Sequence, residues 1–286
     1  MKKWIIRTVV LLFVVIITWT LIDSFVVQLE HVDVVVADLP QALDGYRIVQ
    51  ISDFHGRKFA ADGRLIRQIA DVEADLIVLT GDYVHSKARE VDNILPFIAK
   101  LVELAPVYAV SGNHDHWSDW PLIANQLELT GVSLLENRYV RLRHEGRTFI
   151  LAGVGDPYTG HDDLQAALPA IVTGPVVLLA HAPTWFEPQY QDRYGGLPVY
   201  AAQQQLLRHI SLTLAGHTHG GQIKLPFIGA VTTASGRLFP DSHVEGLSQE
   251  ETGWLYISRG IGQGGILPLR FMSRAEVSVL TLKSTN

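Results

Sequence analysis

The chain has 286 residues, 48% of them hydrophobic, with 23 basic and 29 acidic side chains and a formal net charge of −6. An acidic body argues against non-specific nucleic-acid binding, which needs a basic surface, and the length suits one large α/β domain or two smaller ones. Cysteine is absent, which excludes disulfides, thiolate metal sites and a cysteine nucleophile, so any metal ion must be held by His, Asp, Glu or Asn.

Lys2, Lys3 and Arg7 make a short basic start, and Thr8 to Ile22 then runs without a charge. That uncharged run spans roughly 22 Å as a helix, short of the ~30 Å bilayer core. Trp4, Ile5 and Ile6 extend the apolar stretch, and Arg7 can snorkel past it. Trp4 and Trp19 suit the membrane interface. A cleaved signal peptide is the competing reading. No A-x-A-like site follows the apolar run, where Asp23, Phe25 and Glu30 stand instead. Residues 1–28 are therefore read as an uncleaved membrane anchor, 29–45 as a linker and edge strand, and 46–286 as the main domain. The next basic residue after Arg7 is Arg47, and the intervening charges are acidic. The positive-inside rule places the body on the extracytoplasmic side. Tethering at the cytoplasmic face by an interfacial helix is the alternative.

In the body, Val32 to Val36 and Arg47 to Ile51 read as strands, the second followed at once by Ser52-Asp53-Phe54-His55-Gly56. Asp62 to Val72 has helical spacing, with Asp62 as a possible N-cap. Leu76 to Leu79 is a buried strand followed by Thr80-Gly81-Asp82. Val91 to Leu104 reads as a helix. Pro106 to Val110 is a strand ending at Ser111-Gly112-Asn113-His114-Asp115, and Pro121 to Leu129 is a helix. The rhythm then changes. Tyr139 to Leu142 and Thr148 to Val154 form a hairpin around Glu145-Gly146, and Asp163 to Leu168 is a short helix. Val176 to Leu179 is a strand ending at Ala180-His181. Glu187 to Ala202 is rich in Gly, Pro and Tyr and reads as a loop. Leu206 to Leu214 leads into Ala215-Gly216-His217-Thr218-His219-Gly220-Gly221-Gln222, and Ile223 to Leu225, Trp254 to Ser258 and Ala275 to Leu282 complete a β-rich remainder. Strands alternating with helices, followed by hairpins, predict an α/β fold: a two-sheet β-sandwich flanked by helices and preceded by an N-terminal transmembrane helix.

Five short motifs sit directly after predicted strands, where α/β sheets gather ligand groups. They supply Asp53 and His55, Asp82, Asn113 with His114 and Asp115, His181, and His217 with His219. In an extended segment positions i and i+2 share a face, so each of the pairs Asp53/His55 and His217/His219 can converge on one point. Mixed nitrogen and oxygen donors without sulfur suit Mn, Fe or Zn better than a calcium cage. Seven candidate donors exceed one tetrahedral site and match two ions sharing a carboxylate.

Asp53-x-His55, Gly81-Asp82, Gly112-Asn113-His114-Asp115, His181 and Gly216-His217-Thr218-His219 resemble, in this order, the signature of the calcineurin-like metallophosphoesterases. The resemblance covers about Tyr46 to Leu282. The glycine-rich continuation to Gln222 and the segment Ser258-Arg259-Gly260-Ile-Gly262 are similar to the bacterial membrane-associated branch of YkuE-like and YaeI-like phosphodiesterases. The resemblance implies two divalent ions and a metal-activated water that attacks phosphorus in line. Asp53, His55 and His219 would hold one ion, Asn113, His181 and His217 the other, and Asp82 would bridge. It further implies that His114 is the catalytic imidazole, oriented by Asp115. Ser/Thr phosphatases of the superfamily have an Arg shortly after the bridging Asp, where this chain has Tyr83-Val84-His85. That departure argues against a phosphoprotein substrate and leaves Arg259 as a candidate to grip phosphate.

The expected substrate is a phosphoester, and a membrane anchor points to an envelope or lipid-linked phosphodiester. Cleavage of the pyrophosphate in a nucleotide-diacylglucosamine lipid precursor is an alternative, though it needs a cytoplasmic site. Trp185, Phe186, Tyr190, Tyr194 and Tyr200 could form an apolar lid. A non-catalytic metal-binding module should lack some of the ligands, and this chain lacks none. Gly260-x-Gly262-x-x-Gly265 matches a dinucleotide pattern, but Pro268 follows and no acid lies about twenty residues on. No Gly-x-Ser-x-Gly elbow of a serine hydrolase is present.

Overall fold

A computed structural model describes residues 2–187, 197–233, 236, 238–264 and 268–285. Helix α1 (Lys2–Phe25) precedes strand β1 (Gln28–Val35). The next elements are β2 (Arg47–Ile51), α2 (Arg64–Ala70), β3 (Leu76–Thr80), α3 (Leu95–Leu104), β4 (Val107–Val110), α4 (Asn113–Ser118), α5 (Trp120–Leu129) and β5 (Ser133–Leu134). The second half contains β6 (Arg138–His144), β7 (Arg147–Gly153), β8 (Val176–Leu179), α6 (Leu197–Leu207), β9 (Leu212–Ala215), β10 (Lys224–Leu225), β11 (Gly229–Ala230), β12 (Gly246–Glu250), β13 (Gly253–Ile257) and β14 (Glu276–Lys283).

Two mixed six-stranded sheets form an α/β fold, in the orders β1-β14-β2-β3-β4-β5 and β12-β13-β9-β8-β7-β6. Strand alternation decides what each face covers. On β2 and β3, Ile48, Leu76 and Val78 join a core that also takes Leu151, Val177 and Leu214 from the second sheet. Val49, Ile51, Ile77 and Leu79 instead pack with Ile66, Ile98 and Ile123 of the helices outside. Both faces are buried, so these strands read as unbroken apolar runs rather than alternating ones. β2, β3 and β4 are parallel, as are β8 and β9. Their carboxyl ends therefore lie along common edges of the two sheets, and every predicted donor follows one of those ends. The Gln50 side chain is buried between the sheets, donating to Thr80 Oγ1 at 2.9 Å and to the Ala215 carbonyl at 2.8 Å.

Four local expectations change. α2 is capped by Gly63 with no side-chain bond, so Asp62 is not its N-cap. The segment read as a helix from Val91 begins as a 3₁₀ stretch, Ala88–Asn93, and becomes α-helical at Leu95, with Pro96 in the first turn where its missing N–H costs nothing. Asp163 to Leu168 forms only a turn, closed by Ala167 N–H to the Asp163 carbonyl at 3.0 Å. The presumed loop from Glu187 to Ala202 partly lies outside the described residues, including Tyr190 and Tyr194, but Leu197–Leu207 is helical. Pro198 sits in its first turn, the position proline tolerates, so proline opens this helix rather than breaking it.

α1 is long and apolar enough to cross a membrane. Its side chains are exposed along nearly the whole length, and only Asp23 and Ser24 are buried. These two dock the helix end onto the body. Asp23 accepts from Met272 N–H at 2.8 Å and pairs with Arg274 at 3.3 Å. Ser24 Oγ accepts from Arg270 N–H at 2.8 Å, and Arg57 donates to the Ser24 and Phe25 carbonyls.

Candidate metal centre

The loops after β2 and β3 extend the sheet ladder beyond the strands. Asp53 N–H donates to the Gly81 carbonyl and His55 N–H to the Asp82 carbonyl, both at 3.0 Å. This holds the two carboxylate-bearing turns side by side. Asp53, His55, Asp82, His217 and His219 all take left-handed backbone conformations, with φ from 47° to 72°. Such conformations cost non-glycine residues of order 1–3 kcal/mol each and persist only where the surroundings enforce them. Gly112 leaves the space that Asp82 needs, since a Cβ there would run into the Asp82 carboxylate. Gly216 does the same for Ser52 and Asp53.

All seven predicted metal donors are buried and converge. His55 Nε2 lies 2.9 Å from His219 Nε2, and His219 Nε2 lies 3.4 Å from Asp53 Oδ1. Asn113 Oδ1 lies 3.0 Å from His181 Nε2 and 2.9 Å from His217 Nδ1. Asp82 Oδ2 stands between the groups, 3.6 Å from His55 Nε2 and 3.3 Å from His181 Nε2. His217 N–H donates to both Asp53 oxygens, at 3.1 and 3.2 Å, which ties the second sheet's loop to the first sheet's carboxylate.

Nitrogen and oxygen donors gathered 2.9–3.6 Å from one another in one buried space are a donor set that suits a cation. His181 Nδ1 donates to the Thr80 carbonyl at 2.8 Å, which turns Nε2 toward Asp82 and Asn113. Asp53, His55 and His219 form one divalent-metal-binding cluster, and Asp53, Asp82 and His181 form a second. Burial pushes the His55 and His217 imidazoles down to about 3, and His219 well below its usual range, so all three are neutral lone-pair donors at neutral pH. Burial also raises Asp53 to about 6, with the Asp82 charge adding to the effect. At Asp82 burial acts upward too, but the His181 charge and hydrogen bond override it and hold the carboxyl well below its usual range.

His114 lies beside this cluster, its ring 4.8 Å from that of His55. Its N–H donates to Asp82 Oδ1 at 2.9 Å, and its Nδ1 donates to the His85 carbonyl at 2.5 Å. The expectation that Asp115 orients His114 is therefore corrected. Asp115 is buried and accepts from four backbone N–H groups, those of Asp82, Tyr83, Val84 and Gly112. It fastens the Gly81-Asp82 turn to the Gly112 turn and leaves His114 to the His85 carbonyl. Arg259 is corrected as well. Its guanidinium pairs with Glu30 and Glu276, and it does not line the cleft.

Sequence reasoning missed two residues. His85 stacks on His114 at 5.2 Å and forms a third donor cluster with His55 and His114. Arg270 is fully buried behind the centre, with Nη2 3.2 Å from His219 Nδ1 and further donations to the Gly262, Arg259 and Ser273 carbonyls. No motif marks either one. A histidine three residues beyond Gly-Asp82 was the available signal for the first.

The centre forms one end of a cleft of about 710 Å³. Its lining includes Trp117, Tyr158, Ile223, Val231 and Thr232. None of the described lining residues is Lys or Arg.

The model of the family described as calcineurin-like phosphoesterase matches residues 46–221. The chain is 31% identical to the uncharacterized metallophosphoesterase YkuE of Bacillus subtilis, over 87% of this chain and 82% of that protein. It is 28% identical to phosphodiesterase YaeI of Escherichia coli, over 83% of this chain and 82% of that one. It is also 29% identical to a transmembrane protein with metallophosphoesterase domain of Danio rerio, over 90% of this chain but 57% of that longer protein. With two metal-binding clusters at the edges of its paired sheets and this match across its body, the chain belongs to the calcineurin-like phosphoesterase family and is a metal-dependent phosphohydrolase.

Proposed function

We propose that the protein is a phosphodiesterase of the YkuE-like and YaeI-like branch, held to a membrane by α1 and acting on an envelope or lipid-linked phosphodiester. In this reading Asp53, His55 and His219 would hold one ion, Asn113, His181 and His217 would hold the other, and Asp82 would serve both. The observation that carries it is the position of Asp82 Oδ2 between His55 Nε2 and His181 Nε2. When bound, two such ions acidify the attacking water and neutralise charge developing on the phosphoryl oxygens. The hydrogen bond from His114 Nδ1–H to the His85 carbonyl leaves Nε2 free, and in its imidazolium form, with a proton on each nitrogen, His114 would give the Nε2 proton to the departing oxygen. Because Asp82 Oδ1 accepts from the backbone N–H of His114, the start of α4 is registered to this carboxylate.

Two further observations support the finer claims. A cleft whose described lining holds no Lys or Arg suits the single negative charge of a phosphodiester better than a monoester dianion. The burial of Asp23 and Ser24 against Arg270, Met272 and Arg274 makes the end of α1 part of the body, which favours retention of the helix over its removal as a signal sequence. The test is hydrolysis of bis-p-nitrophenyl phosphate and p-nitrophenyl phosphate by the full chain, first metal-free and then with Mn²⁺, Zn²⁺, Mg²⁺ or Fe²⁺. Metal-dependent cleavage of the diester is expected. Turnover of the monoester alone, or of neither with two ions bound, would overturn the phosphodiesterase reading.

A further inference from the structure

The face beside the cleft carries apolar side chains that a water-soluble surface does not need. The β10–β11 turn holds out Phe227, which is 108% exposed, and Ile228 at 58%. Leu238 and Phe239, at 73% and 59%, lie alongside through the Thr232–Leu238 bridge and the Phe239 N–H bond to the Val231 carbonyl. Elsewhere in the described body, exposed large apolar residues such as Leu104, Leu129 and Ile171 are scattered along the chain. Grouped apolar exposure of this kind marks an interaction surface. Phe227 also takes a left-handed conformation, φ 66°, that is costly for a bulky residue.

This patch is continuous with the membrane helix through Phe271. Lys224 N–H, at the start of the hairpin, donates to the Phe271 carbonyl at 2.9 Å, and Phe271 N–H donates to the Gln222 carbonyl at 3.0 Å. The Phe271 ring lies 6.0 Å from that of Trp19, in the last turns of α1. Arg274 flanks the same turns, in a hollow shared with Val15, Trp19 and Ile22. An Arg and a Trp at a helix end are the side chains expected at the level of lipid headgroups. The residues flanking the hairpin, Ile223, Val231 and Thr232, also line the cleft.

We propose that the β10–β11 turn, with Leu238 and Phe239, is a second membrane contact that dips into the leaflet α1 enters, so that the cleft opens onto lipid headgroups. This deepens the proposed function and rests on it for the membrane position of α1 and for the identity of the chemistry. The substrate class is then a phosphodiester whose acyl chains stay in the bilayer while its headgroup reaches the ions.

Because the chain has no cysteine, a single label can be placed anywhere. The full chain carrying Ile228→Cys, or Glu145→Cys in the β6–β7 turn at the opposite end of the sheets, is labelled with an environment-sensitive fluorophore. It is then reconstituted in phosphatidylethanolamine/phosphatidylglycerol nanodiscs containing spin-labelled lipid. We expect strong quenching at position 228 and none at 145. Equal quenching at the two positions would overturn the proposal. So would a label at 228 that lipid does not quench but self-association of the chain protects, which would assign the surface to a second copy. This readout involves no turnover, so it stands or falls separately from the phosphodiesterase reading. The paired variant Phe227→Ser with Phe239→Ser should cleave a long-chain phosphodiester lipid in the same nanodiscs at least tenfold more slowly. Its rate on soluble bis-p-nitrophenyl phosphate should match that of the parent chain. Parallel rates on both substrates would remove the patch from substrate capture.

Discussion

The two sheets contribute unlike chemistry to one centre. Loops after β2, β3 and β4 bring every oxygen donor, Asp53, Asp82 and Asn113, with one imidazole, His55. Loops after β8 and β9 bring imidazoles only, His181, His217 and His219. The two sides are also secured differently. On the first, Asp115 accepts four backbone N–H groups and locks adjacent turns together. On the second, the buried Arg270 donates to the carbonyls around His219 and to its ring. Oxygen donors from one sheet and mostly imidazole nitrogens from the other give each cluster a carboxylate charge and directional lone pairs.

Asp82 joins the two sides, so its loss should have the largest effect. In Asp82→Asn the carboxylate charge proposed to serve both ions disappears, and turnover of bis-p-nitrophenyl phosphate should fall by more than about 10³-fold. Metal analysis should show fewer than two ions per chain. A variant that keeps both ions and most of its rate would break the idea that one carboxylate unites the sheets. His114→Ala should come next, losing about 10²–10⁴-fold in kcat, the range for a general acid, while retaining both ions. Full activity in that metal-replete variant would take His114 out of the chemistry.

Asp115→Ala tests the first sheet's fastening. It leaves four N–H groups without their acceptor, and a buried unsatisfied group costs about 1–3 kcal/mol. A loss of at least about 4 kcal/mol in urea unfolding is expected, about 1 kcal/mol or more for each of the four groups, with activity reduced through displacement of Asp82. Asp115→Asn keeps one acceptor oxygen and should lose less. If Asp115 acted on His114 instead, activity would fall with stability unchanged.

The sequence displayed the donors and hid most of what aims them. Each ligand follows a buried apolar run, so strand ends could be placed by pattern and the donors assigned to sheet edges. Asp115 misled because it neighbours His114. On a helix adjacent residues point about 100° apart, and Asp115, at the third position of α4, turns back to its N-cap, Gly112. A Gly-x-x-Asp capping pattern was the signal that would have separated the two roles. Arg270 acts on His219 from 51 positions away, across loops with no periodicity. Helix α6 was hidden because Gly195, Gly196 and Pro198 read as loop punctuation, when the proline sits in a helix's first turn.

The smallest expected effect separates the two clusters by pH. In the metal-free protein Asp53 is raised to about 6 by burial, and its cluster partners His55 and His219 are already neutral well below that. Above about pH 6, protons thus no longer compete for the Asp53, His55 and His219 cluster. His181 behaves oppositely. Burial alone would lower it, but the Asp82 and Asp53 carboxylates outweigh burial and hold it protonated well above its usual range. A ligand must shed its proton to bind, so affinity rises with pH until the ligand's own pKa is passed. The cluster with His181 should therefore keep gaining affinity after the other has levelled off. Titration of the metal-free chain with Mn²⁺ should show one tight site at pH 6 and two at pH 8. Calorimetry in buffers of different ionisation enthalpy should show the second ion releasing the extra proton. Two sites that tighten together over the same pH range would mean that the sheets' different donors do not set the order of filling.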